Sequence, residues 1–166
     1  MSDLIAAYEA ALNGRKGEVA QALEACDEHL VRLPNDREAQ LYRGALLVLS
    51  GRDATLPWTR ARLVREGLAL MDEALDRSRA AGAPPSLRLL VVRALSNARL
   101  PRLLRAPRHA LTLLEEISGH AQYAGLPEAI RVETAALIRE LAAHGGVRPE
   151  ACAASPAEGE RDARPM

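Results

Sequence analysis

LYRGALLVLSGR, residues 41–52, is the stretch whose reading decides the fold. Its apolar side chains return every three to four residues, the period of a helix with one face turned inward. The same pattern continues through most of residues 2–144. The stretch also has a counterpart further along, VVRALSNARLPR (91–102), at an offset of 50. Arg43-Gly44 then falls on Arg93-Ala94, and Gly51-Arg52 on Pro101-Arg102. The following helical segments match at a different offset, MDEAL (71–75) on LLEEI (113–117) at 42. Towards the N-terminus, Gly14-Arg15 falls on Gly51-Arg52 at 37 and CDEHL (26–30) on MDEAL at 45. Both comparisons leave a difference of eight residues in the same place. The chain therefore reads as three helix–turn–helix units, the middle one carrying an eight-residue insertion within 53–62, around DATLPWTRAR.

Working outward, the periodicity predicts helices over 2–13, 17–33, 36–50, 60–81, 86–99, 107–118 and 127–144. Asn13-Gly14 ends the first, Pro34-Asn35-Asp36 stops the second and caps the third, and Ser50-Gly51 ends the third. Thr59 is placed to cap the fourth and Ser86 the fifth. Pro107 and Pro127 suit first turns, where a missing N–H costs nothing. The predicted domain spans 1–146. Residues 147–166, rich in Ala, Pro, Glu and Gly without periodicity, are expected to form a disordered tail.

Composition supports an all-α fold: Leu, Ala, Arg and Glu dominate, Phe is absent, and Trp58 is the single Trp of 166 residues. Two cysteines, Cys26 and Cys152, make no disulfide framework and point to a reducing compartment; a bacterial-type cytoplasm is the expected setting. The N-terminal stretch carries Asp3 and Glu9 and has no basic leader, and no apolar run reaches the ~20 residues of a bilayer span. The net charge of zero conceals an uneven distribution. Residues 1–54 sum to −3, residues 55–114 to +7 and residues 115–166 to −4. Such a basic middle bears on partners rather than on fold.

The three units resemble tetratricopeptide (TPR) repeats, helix pairs of about 34 residues that stack into a right-handed solenoid. Ala7, Gly44 and Ala94 stand where that family places a small residue at the close approach of two helices. Ala22, Leu68 and Ala110 form the second set, and Pro34 closes the first unit at the family's Pro position. The resemblance covers about residues 3–118, with 127–144 as the terminal capping helix. Most of the consensus Trp and Tyr are missing, and the third unit ends without its Pro. A plain helical bundle is the structural alternative.

The resemblance implies that the first helix of each unit lines a concave face. Glu38, Leu41, Ala45 and Val48 would face it in the middle unit, and Arg88, Val91, Leu95 and Ala98 in the third. The partner expected there is a protein or peptide with an acidic segment, steered by Arg88, Arg93, Arg99, Arg102 and Arg105. The groove would instead be closed if helix 127–144 covered it. The Arg could equally pair with the acidic ends of the chain. Without interleaved aromatics they argue against nucleic acid. Trp58 reads either as a lip over the groove or as a packing staple for the fourth helix.

No catalytic, cofactor or metal constellation emerges. Cys26 and His29 have i, i+3 spacing but no further ligands to match, and Cys26 aligns with the core positions Met71 and Leu113. Glu115 and Glu116 are adjacent and so point about 100° apart on a helix. No phosphate-binding, zinc-protease or serine-hydrolase motif occurs. The expected function is a non-catalytic interaction module, a scaffold, adaptor or escort. Self-assembly through the repeat surfaces is the alternative, and a small enzyme or ligand carrier with a pocket beneath the Trp58 insertion a third.

Overall fold

The computed structural model describes residues 2–14, 16–98, 100 and 107–144, and within them the helices start and stop on local chemistry. Helix α1 spans Ser2–Asn13 and α2 spans Lys16–Arg32. Pro34 and Asn35 form the turn after α2, and Asp36 then caps α3, Arg37–Asp53. Its Oδ1 accepts the Ala39 N–H at 3.1 Å and its Oδ2 lies 2.8 Å from His29 Nε2. Partial burial works against the Asp36 charge, but the Ala39 N–H and His29 outweigh it and hold the carboxyl below its usual range.

Helix α4 runs Pro57–Ala80. Its end is fixed by Gly82 at φ +70°, where Ala83 N–H reaches the Ser78 carbonyl (3.1 Å) and Gly82 N–H the Arg79 carbonyl (3.0 Å). Helix α5 spans Leu87–Ala98, its first turn closed by the Leu90 N–H on the Ser86 carbonyl at 3.2 Å. After α6, Pro107–Gly119, a single 3-10 turn at Tyr123–Gly125 leads into α7, Glu128–His144. No strand occurs among the described residues, so the all-α class holds. The expected tail, 147–166, lies outside them.

The α3–α4 corner departs from the sequence reading. The insertion is not a loop: α3 continues three residues past Ser50, α4 begins three residues before Arg60, and only Ala54–Leu56 connects them. Thr59 is therefore inside the helix. The N-cap is Leu56, with no side-chain hydrogen bond, and Pro57 opens the first turn where its missing N–H is harmless. Gly51 does not end α3, because it is a contact point. A Cβ there would sit 2.8 Å from Val64 Cγ2 and 3.2 Å from the Arg60 carbonyl.

Each helix packs on the next in sequence, and α3 also touches α1 and α5. Helix α3 is thus flanked on most sides, and Leu41, Tyr42, Ala45 and Leu46 are all at most 1% exposed. They join Met71 and Leu75 of α4, Leu90 of α5, and Leu114 and Ile117 of α6 in one core. Burying each large side chain contributes on the order of 1.5–3 kcal/mol. Val48, Val64 and Leu100 make a smaller cluster at the corner.

The tightest crossing lies between α3 and α4. A Cβ on Gly44 would fall 2.6 Å from the Gly67 carbonyl oxygen and 2.6 Å from Met71 Cγ. The first obstacle is backbone, so relief requires the helices to separate. Gly44→Ala should cost about 2–3 kcal/mol, the upper part of the overpacking range, seen as a lower urea midpoint at unchanged m-value. Gly17→Ala, with nothing within 4 Å of the added carbon, should be neutral or slightly stabilising.

Candidate functional site

Helices α1, α3 and α5 leave a trough between them, closed on one side by α4 and touched by Ile130 of α7. Its volume is about 450 Å³. One turn of α1 contributes Tyr8 and Leu12, α3 contributes Val48 and Leu49, and α5 contributes Val91, Val92 and Leu95. These are the positions that helical periodicity turns to one side once the opposite side is committed to the core. The Tyr8 and Tyr42 rings meet below at 5.2 Å with a 55° tilt. Burial pushes the Tyr42 hydroxyl above the usual phenol range, against the pull of the neighbouring Arg88 guanidinium.

Polar groups sit at the edge. Arg52 Nε lies 3.2 Å from Asp53 Oδ1, and Arg60 Nη2 donates to the Ala54 carbonyl at 2.9 Å. Both remain exposed at the corner. Glu9 and Ser96 line the trough as well. The result is an apolar channel with two guanidiniums at one end, suited to an aliphatic segment carrying a carboxylate.

Of the site residues read from sequence, Val48, Val91 and Leu95 line this trough. Leu41 and Ala45 do not: they are 0% and 1% exposed, turned into the core. Arg88 is exposed beside Tyr42. Arg99, Arg102 and Arg105 lie outside the described residues. Trp58 does not line the trough and is not packed away. It stands 68% exposed, and it lies two positions before Arg60 on α4, a rotation of about 200° that turns it away from the trough. Tyr8, Leu12, Arg52, Arg60, Val64 and Ile130 were missed. A signal for Leu12 existed, since the offset of 37 that superposes Gly14 on Gly51 also puts it on Leu49, which lines the trough.

Arg93 is a correction of another kind. Expected to steer a partner, it is 1% exposed and bound through Nε and Nη2 to both carboxylate oxygens of Asp72, at 2.7 and 2.8 Å. His109 Nε2 reaches the same Asp72 at 3.1 Å, while Arg93 Nη1 is buried without a hydrogen-bond partner among the described residues. Burial opposes the Asp72 charge, yet the Arg93 guanidinium and then His109 hold its carboxyl below the usual range. Arg79 bridges to Glu116 at 2.8 Å and Arg77 to Glu73 at 2.6 Å. Part of the basic middle thus pairs with acids of its own chain.

Cys26 is fully buried, with its thiol donating to the Ala39 carbonyl at 3.2 Å. Burial, followed by Asp27, pushes it up to about 11, so it is a neutral thiol at neutral pH. Among the described residues, no group of three or more His, Cys, Asp or Glu converges, and no helix is long and apolar enough to cross a membrane.

Two outcomes follow from these placements. Asp72→Asn, which leaves the Arg93 charge buried, should cost about 2–3 kcal/mol, below the ~3–5 of a sealed pair because Asp72 is one-third exposed. The folded carboxyl is held low, so its contribution is complete above the unfolded value of about 4 and is lost as pH falls through the folded value. Acid unfolding of the Asn variant should lack that component. Trp58→Ala should leave stability within about 0.5 kcal/mol, which denaturant titration will check.

Comparison with protein-family models, with curated proteins and with solved structures finds no match to this chain.

Proposed function

We propose that the protein is a non-catalytic, TPR-like interaction module that holds a segment of another protein in the trough between α1, α3 and α5. The observation that carries this reading is the composition of the trough. It is a channel of about 450 Å³ walled by the first helix of each unit, mainly apolar with Glu9 and Ser96 among its lining, and with Arg52 and Arg60 at one end. Its volume lies within the ~300–1,000 Å³ typical of binding pockets. The pattern of packing supports the TPR-like arrangement. Successive helices touch, and so do α1 with α3 and α3 with α5, as in an array of stacked hairpins.

The segment that suits such a channel is an amphipathic helix with apolar anchors at i, i+3 or i+4, and i+7. An acidic side chain near one end of its apolar face would meet Arg52 and Arg60. Those guanidiniums would speed encounter and set salt dependence, while the Val91 and Leu95 wall would supply the affinity. A scaffold, adaptor or escort in the cytoplasm is the setting this implies.

The test begins with proteins that co-purify with the full chain from its native cells, each identified and titrated against the purified chain. Val91→Glu puts a charge into the apolar wall and should weaken the true partner at least about 30-fold, roughly 2 kcal/mol, with helicity unchanged. Arg52→Glu with Arg60→Glu should slow association more at low salt than at high salt. A partner that binds the Val91→Glu chain as tightly as the parent chain would sink the trough as the binding site.

A further inference from the structure

Two helix faces outside the trough carry opposite charge and end in exposed apolar side chains. On α4, Trp58, Arg62 and Arg65 follow at spacings of four and three residues, all exposed. On α2, Val31, Glu28 and Glu24 follow in reverse at spacings of three and four, also exposed. Among the described residues five large apolar side chains are exposed, and four of them flank these faces: Val31 (83%) and Leu33 beside α2, Leu56 and Trp58 (68%) at the start of α4. None of the four charges has an ion-pair partner within the described residues. Arg65 Nε donates only to the Ala61 carbonyl of its own helix, at 3.1 Å.

We infer that these faces are the two halves of one self-association contact, α4 of one copy lying antiparallel on α2 of a second. Trp58 and Leu56 then cover Val31 and Leu33, Arg62 opposes Glu28, and Arg65 opposes Glu24. Each triplet spans seven residues, about 10 Å of helix, so the three matches are met in one register. A parallel alignment would set Trp58 against the acidic end. The antiparallel one also brings the positive N-terminal end of α4 beside the negative C-terminal end of α2. The occupant is a second copy because both complementary faces belong to the same chain at matching spacing. The two faces differ, so the contact is heterologous. Copies add head to tail, forming a ring if the rotation closes and an open chain if it does not. A contact of essentially two helices falls at the small end of specific interfaces, so assembly is concentration-dependent, with Kd of about 1 µM or weaker. The trough plays no part in it.

Sedimentation velocity on the full chain tests this, from about 1 to about 300 µM, the range that brackets such a Kd. The mean mass should rise with concentration at low salt. It should fall back as salt is raised from about 0.1 M to about 1 M, which shortens the screening length from about 10 to about 3 Å. Arg62→Glu with Arg65→Glu should abolish the rise, and so should Glu24→Arg with Glu28→Arg. An equimolar mixture of the two double variants should restore it, because each then supplies the face the other needs. Trp58→Ala should weaken association about tenfold. Circular dichroism confirms the fold of each variant, all changes being on exposed positions. A chain that stays monomeric throughout, double variants that associate like the parent, or a mixture that fails to reassemble would each overturn the assignment.

Discussion

The contact of the α3 and α4 backbones at Gly44 and Gly67 is the constraint on which the remaining structure depends. With no side chain at either position, the two helices lie close enough for Met71 to reach Gly44 and to join Leu41 and Leu46 in one core. That closeness fixes α3 as the central helix. Once α3 is enclosed by α2 and α4, its remaining faces can only meet α1 and α5. The trough is the space that those three helices leave on the side α4 does not fill. Apolar contact provides the driving force for all of this, while the glycines decide the geometry in which it is realised.

Electrostatics in this protein divides between inside and outside. Arg93 and Asp72 form a pair that is sealed on the Arg side and open on the Asp side, and His109 completes it from α6. The pair ties three consecutive helices, α4, α5 and α6, through one carboxylate. Such a group specifies which helices sit together more than it adds to stability, since desolvation offsets much of the attraction. The surface charges act over longer distance and in a different way. One exposed strip on each of two helices, Glu24 and Glu28 on α2 and Arg62 and Arg65 on α4, is of single sign, so a chain of zero net charge still presents local acidic and basic strips.

Most helix ends were legible in the sequence because they rest on local chemistry. Asp36 caps whatever follows it, Gly82 adopts a backbone that few residues tolerate, and the prolines restrict where a first turn can begin. Gly51 misled because a glycine that ends a helix and one that admits a neighbouring helix look alike in one dimension. The difference lies in Val64 and Arg60, which reach Gly51 only after folding. The trough was half legible. Val48, Val91 and Leu95 follow from repeat alignment, but one face of a helix cannot reveal whether Leu41 and Ala45 look into the trough or into the core one turn away. Arg93 was illegible for a similar reason: its partner is 21 residues distant, on another helix.

The lengthened corner has an architectural meaning. Its added residues divide between α3 and α4, roughly one turn on each. A whole turn returns every later side chain to nearly the same direction, so the extra length of both helices leaves their inward stripes unrotated. The new tier carries Arg60 and sets it near Arg52, and Val48, Val64 and Leu100 floor it. Depth and edge chemistry at that end of the cleft are thus set by side chains other than those that pack the core beneath it.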